Sequence, residues 1–319
     1  MVERLQEASS QLKGRSVISL MEWTPTEIKK ILSTAQWMKA NPKVAEMRYA
    51  LAGKSVAMIF ELPSTRTRVS FHVGIEGLGA SVVLLNWEDS QLGRGEPISD
   101  TARVLSRYVD GIVVRARRHD MVQDLKKWAD VPVFNALTDR THPFQALADA
   151  LTLWEHAGHL GGLKFSYVGD GNNMAHSYMV VGAKLGMHVT IGTPKQFAPG
   201  PELVAWAQAE AAMTGGSVTL VEDPEQAVFG ADAVAADVFV SMGDTVDEDT
   251  KKAMMAPYQV NAKLMKLAKP GAVFMHCLPA HRGEEVTAEV LEGPQSVVFD
   301  QAENRLYVQK SALYHCLAD

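Results

Sequence analysis

The chain has 319 residues, which at roughly 150 residues per domain predicts about two domains. Apolar residues make up 47% of it and charged residues 21%, a composition typical of folded globular proteins that excludes an intrinsically disordered chain. The formal charge of -6 gives no reason to expect nucleic acid as a partner, and 2 cysteines are too few for a disulfide framework.

Secretion signals and membrane spans are not predicted. The N-terminus, MVERLQEASSQLKGR, carries charge where a signal peptide requires an apolar run. Apolar runs such as SVVLL and VAMIF are far shorter than the ~18 residues of a membrane span. The low cysteine content is typical of a reducing compartment. We therefore expect a soluble, cytoplasmic protein without a membrane partner.

From residue 55 onwards, short apolar runs alternate with longer amphipathic stretches, which predicts parallel strands covered by helices. Strands are predicted in the first half at SVAMIF (55–60), SVVLL (81–85), GIVVR (111–115) and VPVFN (131–135). Strands are predicted in the second half at KFSYVG, MHVTIG, SVTLV, DAVAAD, GAVFMH and SVVFD. The sequence thus predicts an α/β protein with two doubly wound domains, each built on a parallel sheet.

A helix is predicted to join the two domains. Apolar residues recur at helical spacing through residues 142–156, at Phe144, Leu147, Leu151 and Trp154. The turn-rich segment GHLGG follows this pattern. We place the boundary near residue 150, which gives domains 1–150 and 151–319. A last helix is predicted over about 302–317, and the pattern alone allows it to pack on either half.

Hydroxyl and guanidinium groups gather in STRTR (64–68), between the first strand and a helix-like segment. Helix N-terminal N–H groups and arginine side chains together favour a phosphate. A Ser/Thr cap with solvated arginines would explain the same residues.

Three further residues are candidates for a ligand site. Arg115 ends a strand, and open α/β sheets bind ligands at such strand ends. His142 and Gln145 lie at the start of the joining helix, where both side chains can face one point. Each also has a structural explanation: Arg115 as an ion-pair partner, His142 as a helix cap and Gln145 as a solvated side chain.

The segment GDGNN (169–173) follows a strand but does not complete a dinucleotide fingerprint. Met174 replaces the third glycine, and the next strand, MHVTIG, ends without the acidic residue that would bind a ribose. The phosphate-loop pattern Gly-Lys-Ser/Thr is also missing. We therefore expect neither NAD nor ATP, and no cofactor is predicted.

Two later strand ends also bear reactive groups. Asp237 leads into VFVSMG (238–243), where its carboxylate can hold an ammonium group or belong to an acidic surface loop. Cys277 lies in HCLPAHRG (276–283), either as buried filler or as a functional thiol. Because His276 and Cys277 are adjacent and no second cysteine is near, zinc-ligand spacing is missing and no metal is predicted.

Taken together, STRTR, His142-Pro143-x-Gln145 and HCLPAHRGEE resemble the aspartate/ornithine carbamoyltransferase family over nearly the whole chain. The resemblance extends to its ornithine-specific branch through DVFVSMG, HCLP, SQLGRGEPISDTARVLSRYVDGIVVR, VGDGNNMAHS and AENRLYVQK. It implies transfer of a carbamoyl group from carbamoyl phosphate to L-ornithine without a metal or cofactor. It also implies a carbamoyl phosphate domain, an ornithine domain, a C-terminal helix that returns to the first domain, and a homotrimer, or a multiple of trimers, with shared active sites.

The resemblance also implies roles for individual residues. Those implied for carbamoyl phosphate are Ser64, Thr65, Arg66 and Thr67 at the phosphate, Gln91 from a neighbouring subunit, and Arg115, His142, Gln145, Arg305, Cys277 and Leu278 around the carbamoyl group. Those implied for ornithine are Asn173 and the Met242 backbone at the α-carboxylate, Asp237 and Ser241 at the α-ammonium, and Cys277 and the Leu278 carbonyl at the δ-amine. The implied catalytic residues are Arg115, His142, Cys277 and Arg305.

Two positions depart from the common family pattern. Leu62-Pro63 precede STRTR where lysine is common, and Phe239 stands where tryptophan is common.

Three other functions fit parts of the sequence: an N-acylornithine or putrescine carbamoyltransferase, a Cys-His hydrolase and a catalytically silent binding relative. Asp237 and SMG (241–243) are evidence against an N-acylornithine or putrescine carbamoyltransferase. A hydrolase requires a covalent adduct on Cys277, and intact STRTR and HCLP segments count against a silent relative.

Overall fold

The computed structural model describes residues 12–241 and 244–319. The chain divides into two units, each with its own parallel sheet. Unit 1 ends at Leu147 and resumes over Asn304–Asp319, and unit 2 is Ala148–Glu303. The predicted α/β class with parallel sheets is confirmed.

Unit 1 contains a four-stranded parallel sheet in the order β2-β1-β3-β4. Its strands are β1 (Ser55–Phe60), β2 (Ser81–Asn86), β3 (Gly111–Arg115) and β4 (Val133–Leu137). The strand order reverses between β1 and β3, where Phe60 pairs with Arg115. Their carboxyl ends therefore form a topological switch point, the usual place for a ligand site in such sheets.

The α-helices that begin in unit 1 are α1 (Pro25–Ala40), α2 (Thr65–Glu76), α3 (Ile98–Leu105), α4 (His119–Trp128) and α5 (Pro143–Ala157). Helix α1 begins with a capping box, in which Thr24 accepts from the Glu27 N–H and Glu27 accepts from the Thr24 N–H. This reciprocal bonding satisfies N–H groups that a helix start would otherwise leave unpaired. Helix α5 is the predicted joining helix, and residues 148–157 of it belong to unit 2.

Unit 2 contains a five-stranded parallel sheet in the order β7-β6-β5-β8-β9. Its strands are β5 (Lys164–Val168), β6 (His188–Gly192), β7 (Ser217–Val221), β8 (Ala233–Ala236) and β9 (Val273–His276). The order reverses between β5 and β8. Phe239 is 2% exposed and packs into the same apolar core as Val234 and Phe274, so the aromatic ring at this position serves the interior of unit 2.

The remaining α-helices are α6 (Asn173–Leu185), α7 (Pro201–Thr214), α8 (Pro224–Val228), α9 (Glu248–Met255), α10 (Ala262–Met265), α11 (Ala288–Leu291) and α12 (Val298–Leu317). Short 3-10 helices occupy Leu20–Glu22, Ala45–Tyr49, Leu92–Arg94, Lys195–Phe197 and Ala256–Tyr258. Within residues 12–241 and 244–319, no helix combines the length and the apolar character that crossing a bilayer requires.

Two predicted strands differ from the structure, and the predicted last helix, about 302–317, begins earlier, at Val298. The strand predicted at VPVFN is shifted towards the C-terminus and is β4, Val133–Leu137. The strand predicted at SVVFD is wrong, because α12 begins at Val298 and only an isolated bridge joins Ser296 to Phe274. Val298 is 1% exposed whereas Phe299 is 69% exposed, so this apolar run meets the core through a helical turn and tertiary packing overrides its strand propensity.

Helix α12 returns to unit 1. The Lys39 Nζ donates to Asn304 Oδ1 at 2.8 Å, and the Ser311 hydroxyl donates to the Ile31 carbonyl at 2.8 Å. The Thr34 hydroxyl and His315 Nε2 lie 2.9 Å apart, and the His315 side chain is completely buried. The last helix therefore packs on α1.

We predict that unit 1 loses stability in mild acid through His315. Burial lowers the pKa of His315 to about 4, with a smaller contribution from the charge of Lys30. His315 of the unfolded chain binds a proton near pH 6.5, whereas the folded chain binds it only near pH 4. The free energy of unfolding should therefore decrease as the pH falls from about 6.5 to about 4, by roughly 3 kcal/mol in total. Urea unfolding at several pH values measures this dependence.

His315→Gln should reduce the slope of unfolding free energy against pH in this range. The exposed His159 provides the matched control, and His159→Gln should keep the wild-type slope. Identical slopes for the wild type and His315→Gln would contradict the prediction.

Candidate active site

The carboxyl end of β1 leads directly into the start of α2. Ser64 caps this helix, because its hydroxyl accepts from the Thr67 N–H at 3.2 Å. Thr65 is exposed, whereas Ser64 and Arg66 are half-buried. The STRTR segment therefore presents hydroxyl and guanidinium groups at a helix N-terminus, as predicted from its sequence.

The buried Thr67 hydroxyl is the point where three elements of unit 1 meet. Arg305 Nη2, from α12, donates to Thr67 Oγ1 at 2.8 Å. Arg115 Nη1, from the end of β3, donates to the same oxygen at 3.4 Å. Arg305 is 3% exposed and Arg115 is half-buried. One hydroxyl thus holds two guanidinium groups beside the α2 N-terminus.

His142 lies in the same positively charged surroundings and is 4% exposed. Burial lowers the pKa of His142 well below its ordinary value, and the positive charges of Arg305, Arg115 and Arg66 lower this pKa further. The imidazole is therefore neutral at neutral pH. Gln145, whose N–H donates to the His142 carbonyl at 3.1 Å, is also buried. Unit 1 thus gathers cationic groups and a neutral imidazole, a set suited to an anion with a carbonyl group.

The second arginine of STRTR has a packing role. Arg68 Nη2 donates to Asn86 Oδ1 at 2.7 Å, and its guanidinium lies 5.1 Å from the centroid of the Phe60 ring. A cavity of about 490 Å³ opens here, lined by residues that include Leu62, Pro63, Ser64, Thr65 and Arg68. The departure at Leu62-Pro63 therefore shapes the wall of this cavity.

Gln91 is not joined to this cluster. It is exposed before the 3-10 helix Leu92–Arg94, and in the described part of the chain its side chain has no hydrogen bond to the STRTR residues. Its implied role in a neighbouring subunit stays a prediction.

In unit 2, the ends of adjacent strands bring Asp237 and Cys277 together. Ala236, the last residue of β8, pairs with His276, the last residue of β9. The Cys277 Sγ–H donates to Asp237 Oδ1 at 3.1 Å, and Asn172 Nδ2 donates to Asp237 Oδ2 at 2.8 Å. Asp237 is 7% exposed. Its carboxylate is therefore fixed in place by donors from two other strand ends.

Ser241 belongs to the same network. Its hydroxyl accepts from Asn172 Nδ2 at 3.0 Å and donates to Asp170 Oδ2 at 3.2 Å. Asn173, the first residue of α6, is half-buried. Met242, predicted to bind through its backbone, lies outside the described residues.

Asn172 also belongs to this network, although the sequence pattern GDGNN predicted no role for it. The Asn172 side chain caps α6 by accepting from the Met174 and Ala175 N–H groups, and its amide nitrogen reaches Asp237 and Ser241. The signal was a cap-forming residue directly before a helix-like segment.

Gly171 explains the glycine-rich character of the same segment. Its N–H donates to the Phe197 carbonyl at 3.0 Å, and a Cβ there would lie 2.1 Å from that oxygen. The glycine thus permits a close backbone approach within unit 2, which requires no dinucleotide.

The HCLP segment holds its backbone in an unusual conformation. Leu278 has a φ of 57°, in the left-handed region that non-glycine residues seldom adopt. Its N–H donates to His276 Nδ1 at 2.9 Å, so the ring proton is on Nε2, which lies 3.2 Å from Glu285 Oε1. Both ring nitrogens of His276 are therefore occupied, and this residue is not positioned as a base for Cys277.

Two groups of potential metal ligands occur in the described ranges: Asp237 with His276 and Cys277, and His281 with Glu284 and Glu285. In the first group, the His276 nitrogens are already hydrogen-bonded. In the second, Glu284 pairs with Lys252 at 3.0 Å, and one oxygen of Glu285 accepts from the His281 N–H at 2.6 Å. Each group therefore contains side chains that protein groups already engage.

Comparison with known proteins relates both halves of the chain to the same family. Residues 15–155 match the model of the aspartate/ornithine carbamoyltransferase carbamoyl-P binding domain, and residues 161–316 match that of the Asp/Orn binding domain. The ornithine carbamoyltransferase of Thermococcus kodakarensis is 53% identical over 95% of this chain and 96% of its own length. That of Bacillus subtilis is 49% identical over 95% and 94%.

The solved structure of the ornithine carbamoyltransferase from Pyrococcus furiosus is also similar. It matches with a TM-score of 0.92 and 51% identity, over 96% of this chain and 98% of that one.

We predict that Thr67→Val destabilises unit 1, because it removes the acceptor of two buried or half-buried guanidinium groups while keeping the side-chain shape. Loss of an acceptor for charged donors should lower the free energy of unfolding by about 1–3 kcal/mol. Urea denaturation measures the loss. Thr65→Val, at the neighbouring exposed position, is the control and should change stability by less than about 0.5 kcal/mol. Equal stabilities for the two variants would refute the role of the Thr67 hydroxyl.

Proposed function

Because this chain belongs to the aspartate/ornithine carbamoyltransferase family, we infer that it transfers the carbamoyl group of carbamoyl phosphate to the δ-amine of L-ornithine, which gives L-citrulline and phosphate. The observation that carries this proposal is the convergence of Arg115 and Arg305 on Thr67 beside a neutral His142. A cationic pocket at a helix N-terminus suits the phosphate end of carbamoyl phosphate.

Carbamoyl phosphate is assigned to unit 1. We propose that its phosphate binds Ser64, Thr65, Arg66 and Thr67 at the start of α2. The groups proposed to surround the carbamoyl carbonyl are Arg115, His142, Gln145 and Arg305. A neutral imidazole supports this assignment, because it can donate a hydrogen bond to the carbonyl oxygen without neutralising the negative charge that develops there. Fixed donors then stabilise the oxygen as it becomes negative in the tetrahedral intermediate.

Ornithine is assigned to unit 2. We propose that Asp237 and Ser241 bind the α-ammonium and that Asn173 and the Met242 backbone bind the α-carboxylate. Cys277 and the Leu278 carbonyl are assigned to the δ-amine and, once the substrates meet, to the carbamoyl group. The buried, doubly hydrogen-bonded Asp237 carboxylate supports this assignment, since an ammonium group is its natural partner.

The reaction proceeds by direct transfer. The δ-ammonium of ornithine loses a proton to solvent, and the resulting amine attacks the carbonyl carbon of carbamoyl phosphate. The tetrahedral intermediate collapses with cleavage of the carbon–oxygen bond to phosphate, and the amine nitrogen releases its second proton to the departing phosphate. The residues of this chain contribute orientation and preorganised charge.

A Cys-His hydrolase is disfavoured by the hydrogen bonds around Cys277. The thiol donates to Asp237, and both nitrogens of the neighbouring His276 are occupied by other groups. Nucleophilic cysteines require an adjacent base that can accept the thiol proton. We therefore assign Cys277 to positioning of the δ-amine.

The cellular role proposed is the production of citrulline for arginine biosynthesis in the cytoplasm; arginine or citrulline catabolism is the reverse use of the same reaction. The similar protein of Pyrococcus furiosus is named an anabolic ornithine carbamoyltransferase, which supports the biosynthetic direction. Cys277 and Cys316 form no disulfide, which is consistent with a reducing compartment. Recovery of the protein in an exported fraction of its source cells would contradict this location.

A homotrimer, or a multiple of trimers, with shared active sites is also proposed. The edge strand β2 exposes Val83 and Leu84, and the neighbouring helix α2 exposes Val69 and Val73. Apolar side chains on an uncovered sheet edge are typical of an interface. Gln91, exposed shortly after β2, is assigned to the site of the adjacent subunit. Light scattering should give about three times 34.8 kDa or a multiple of that mass, and a monomer would contradict the proposal.

Arg66→Ala should reduce kcat/KM for carbamoyl phosphate at least about tenfold, because a charge-assisted contact to phosphate is worth about 1.5–3 kcal/mol. Steady-state kinetics at saturating ornithine measure this effect. Arg118→Ala is the matched control, since Arg118 is exposed and pairs with Asp120. Unchanged kinetics in a folded Arg66→Ala protein would refute the phosphate assignment.

The substrate assignment is tested by citrulline formation from ornithine compared with the turnover of N-acetylornithine and putrescine. Ornithine should be preferred by ~10⁴ or more, because each analogue leaves a buried polar group unpaired. Asp237→Asn should raise the KM for ornithine and narrow the preference over N-acetylornithine. Asp232→Asn, at the opposite end of β8, should not change the preference. Equal turnover of ornithine and either analogue would overturn the assignment.

A further inference from the structure

Lys251, on α9, is a buried ammonium group that the proposed reaction leaves unused. Its side chain is 1% exposed. The Nζ lies 2.8 Å from Asp170 Oδ2 and 2.7 Å from Asp244 Oδ2, and 5.0 Å from the centroid of the Phe197 ring. Burial of a lysine is costly unless such partners compensate for lost water. All of these residues belong to unit 2.

The two carboxylate oxygens that hold Lys251 also hold Ser241. Asp244 Oδ2 accepts from the Ser241 N–H at 2.6 Å, and Asp170 Oδ2 accepts from the Ser241 hydroxyl at 3.2 Å. The backbone donor and the side-chain donor of Ser241 are therefore both directed by the same charged cluster.

Ser241 connects this cluster to the Asp237 carboxylate. Asn172 Nδ2 donates to the Ser241 hydroxyl at 3.0 Å and to Asp237 Oδ2 at 2.8 Å. Lys251 itself makes no hydrogen bond to Asp237 in the described ranges 12–241 and 244–319. The hydrogen bonds thus connect the ammonium group to Asp237 through Asp170, Ser241 and Asn172.

The charges explain why a cation is needed at this point. Asp170 and Asp244 are both within ion-pair distance of one ammonium group, so without it they would repel each other. Burial raises the pKa of Asp170, and the Asp244 charge acts in the same direction, whereas Lys251 opposes the rise. Removal of Lys251 would favour protonation of Asp170 or separation of Asp244 from it, and either change alters the hydrogen bonds of Ser241.

We propose that Lys251 is a positioning residue for ornithine, which holds Ser241 and Asp237 in the arrangement that receives the α-ammonium group without touching the substrate. This inference rests on the proposed function. It differs from a general stabilising role because it assigns a selective effect to one of the two substrates.

Lys251→Met keeps the length of the side chain and removes its charge. The KM for ornithine should rise about tenfold or more, while the KM for carbamoyl phosphate, whose assigned residues lie mainly in unit 1, should stay within about twofold of the wild type. Lys252→Met is the matched control. It makes the same change of charge on the same helix, at a side chain that pairs with Glu248 and Glu284, and both KM values should be retained.

Asp244→Asn provides a second variant in which Lys251 keeps Asp170 as a partner. It should raise the KM for ornithine about threefold on its own. In the double variant with Lys251→Met, the rise should be smaller than the product of the two single effects, because the repulsion between the carboxylates has been removed. If Lys251→Met fails to unfold cooperatively, the selective effect of Asp244→Asn decides the question.

An active wild type with unchanged ornithine KM in folded Lys251→Met and Asp244→Asn proteins would overturn this inference alone. An equal rise in both KM values would also overturn it, since that result indicates general damage. A wild type that forms no citrulline from ornithine would remove the proposed function and, with it, the role assigned to Lys251.

Discussion

Both candidate sites depend on the parallel pairing of β1 with β3 and of β5 with β8. Parallel strands bring their carboxyl ends to one edge, and the order reverses at each of these pairs, so connecting segments diverge and leave room for a ligand. This geometry places Arg115 beside the STRTR segment, and Asp237 beside GDGNN. Apolar strand residues thus determine where the polar residues can meet.

The two sites differ in charge as their proposed ligands require. In unit 1, arginines surround an imidazole that they help to keep neutral. In unit 2, the Asp237 carboxylate accepts hydrogen bonds from an amide and a thiol, and a carboxylate suits the proposed ammonium group. The hydrogen bonds described for each site lie within its own unit.

The sequence predicted the exact bounds of β1, β3 and β7, where a run of apolar and β-branched residues is the strand itself, whether it is buried, as in β1 and β3, or partly exposed, as in β7. It failed at SVVFD, because whether this run continues as a strand or turns into α12 depends on contacts with β9 and the core. Motif similarity predicted Arg115, Asp237 and Cys277 as site residues, each of which the structure places at or directly after a strand end. It did not show that Thr67 accepts from Arg305, which is 238 residues away, or that Lys251 pairs with Asp170, because such contacts depend on the folded backbone.

The return of α12 to unit 1 has a consequence for biosynthesis of the protein on the ribosome. Arg305 belongs to the last helix, whereas the Thr67 hydroxyl that accepts from it belongs to a segment made much earlier. During translation, the strands of the first sheet emerge long before this guanidinium group does, so the candidate site of the nascent unit 1 is incomplete until residue 305 has been made. A message truncated between the codons for His276 and Arg305 would therefore yield a chain that holds every strand described for the two sheets and lacks part of the candidate site.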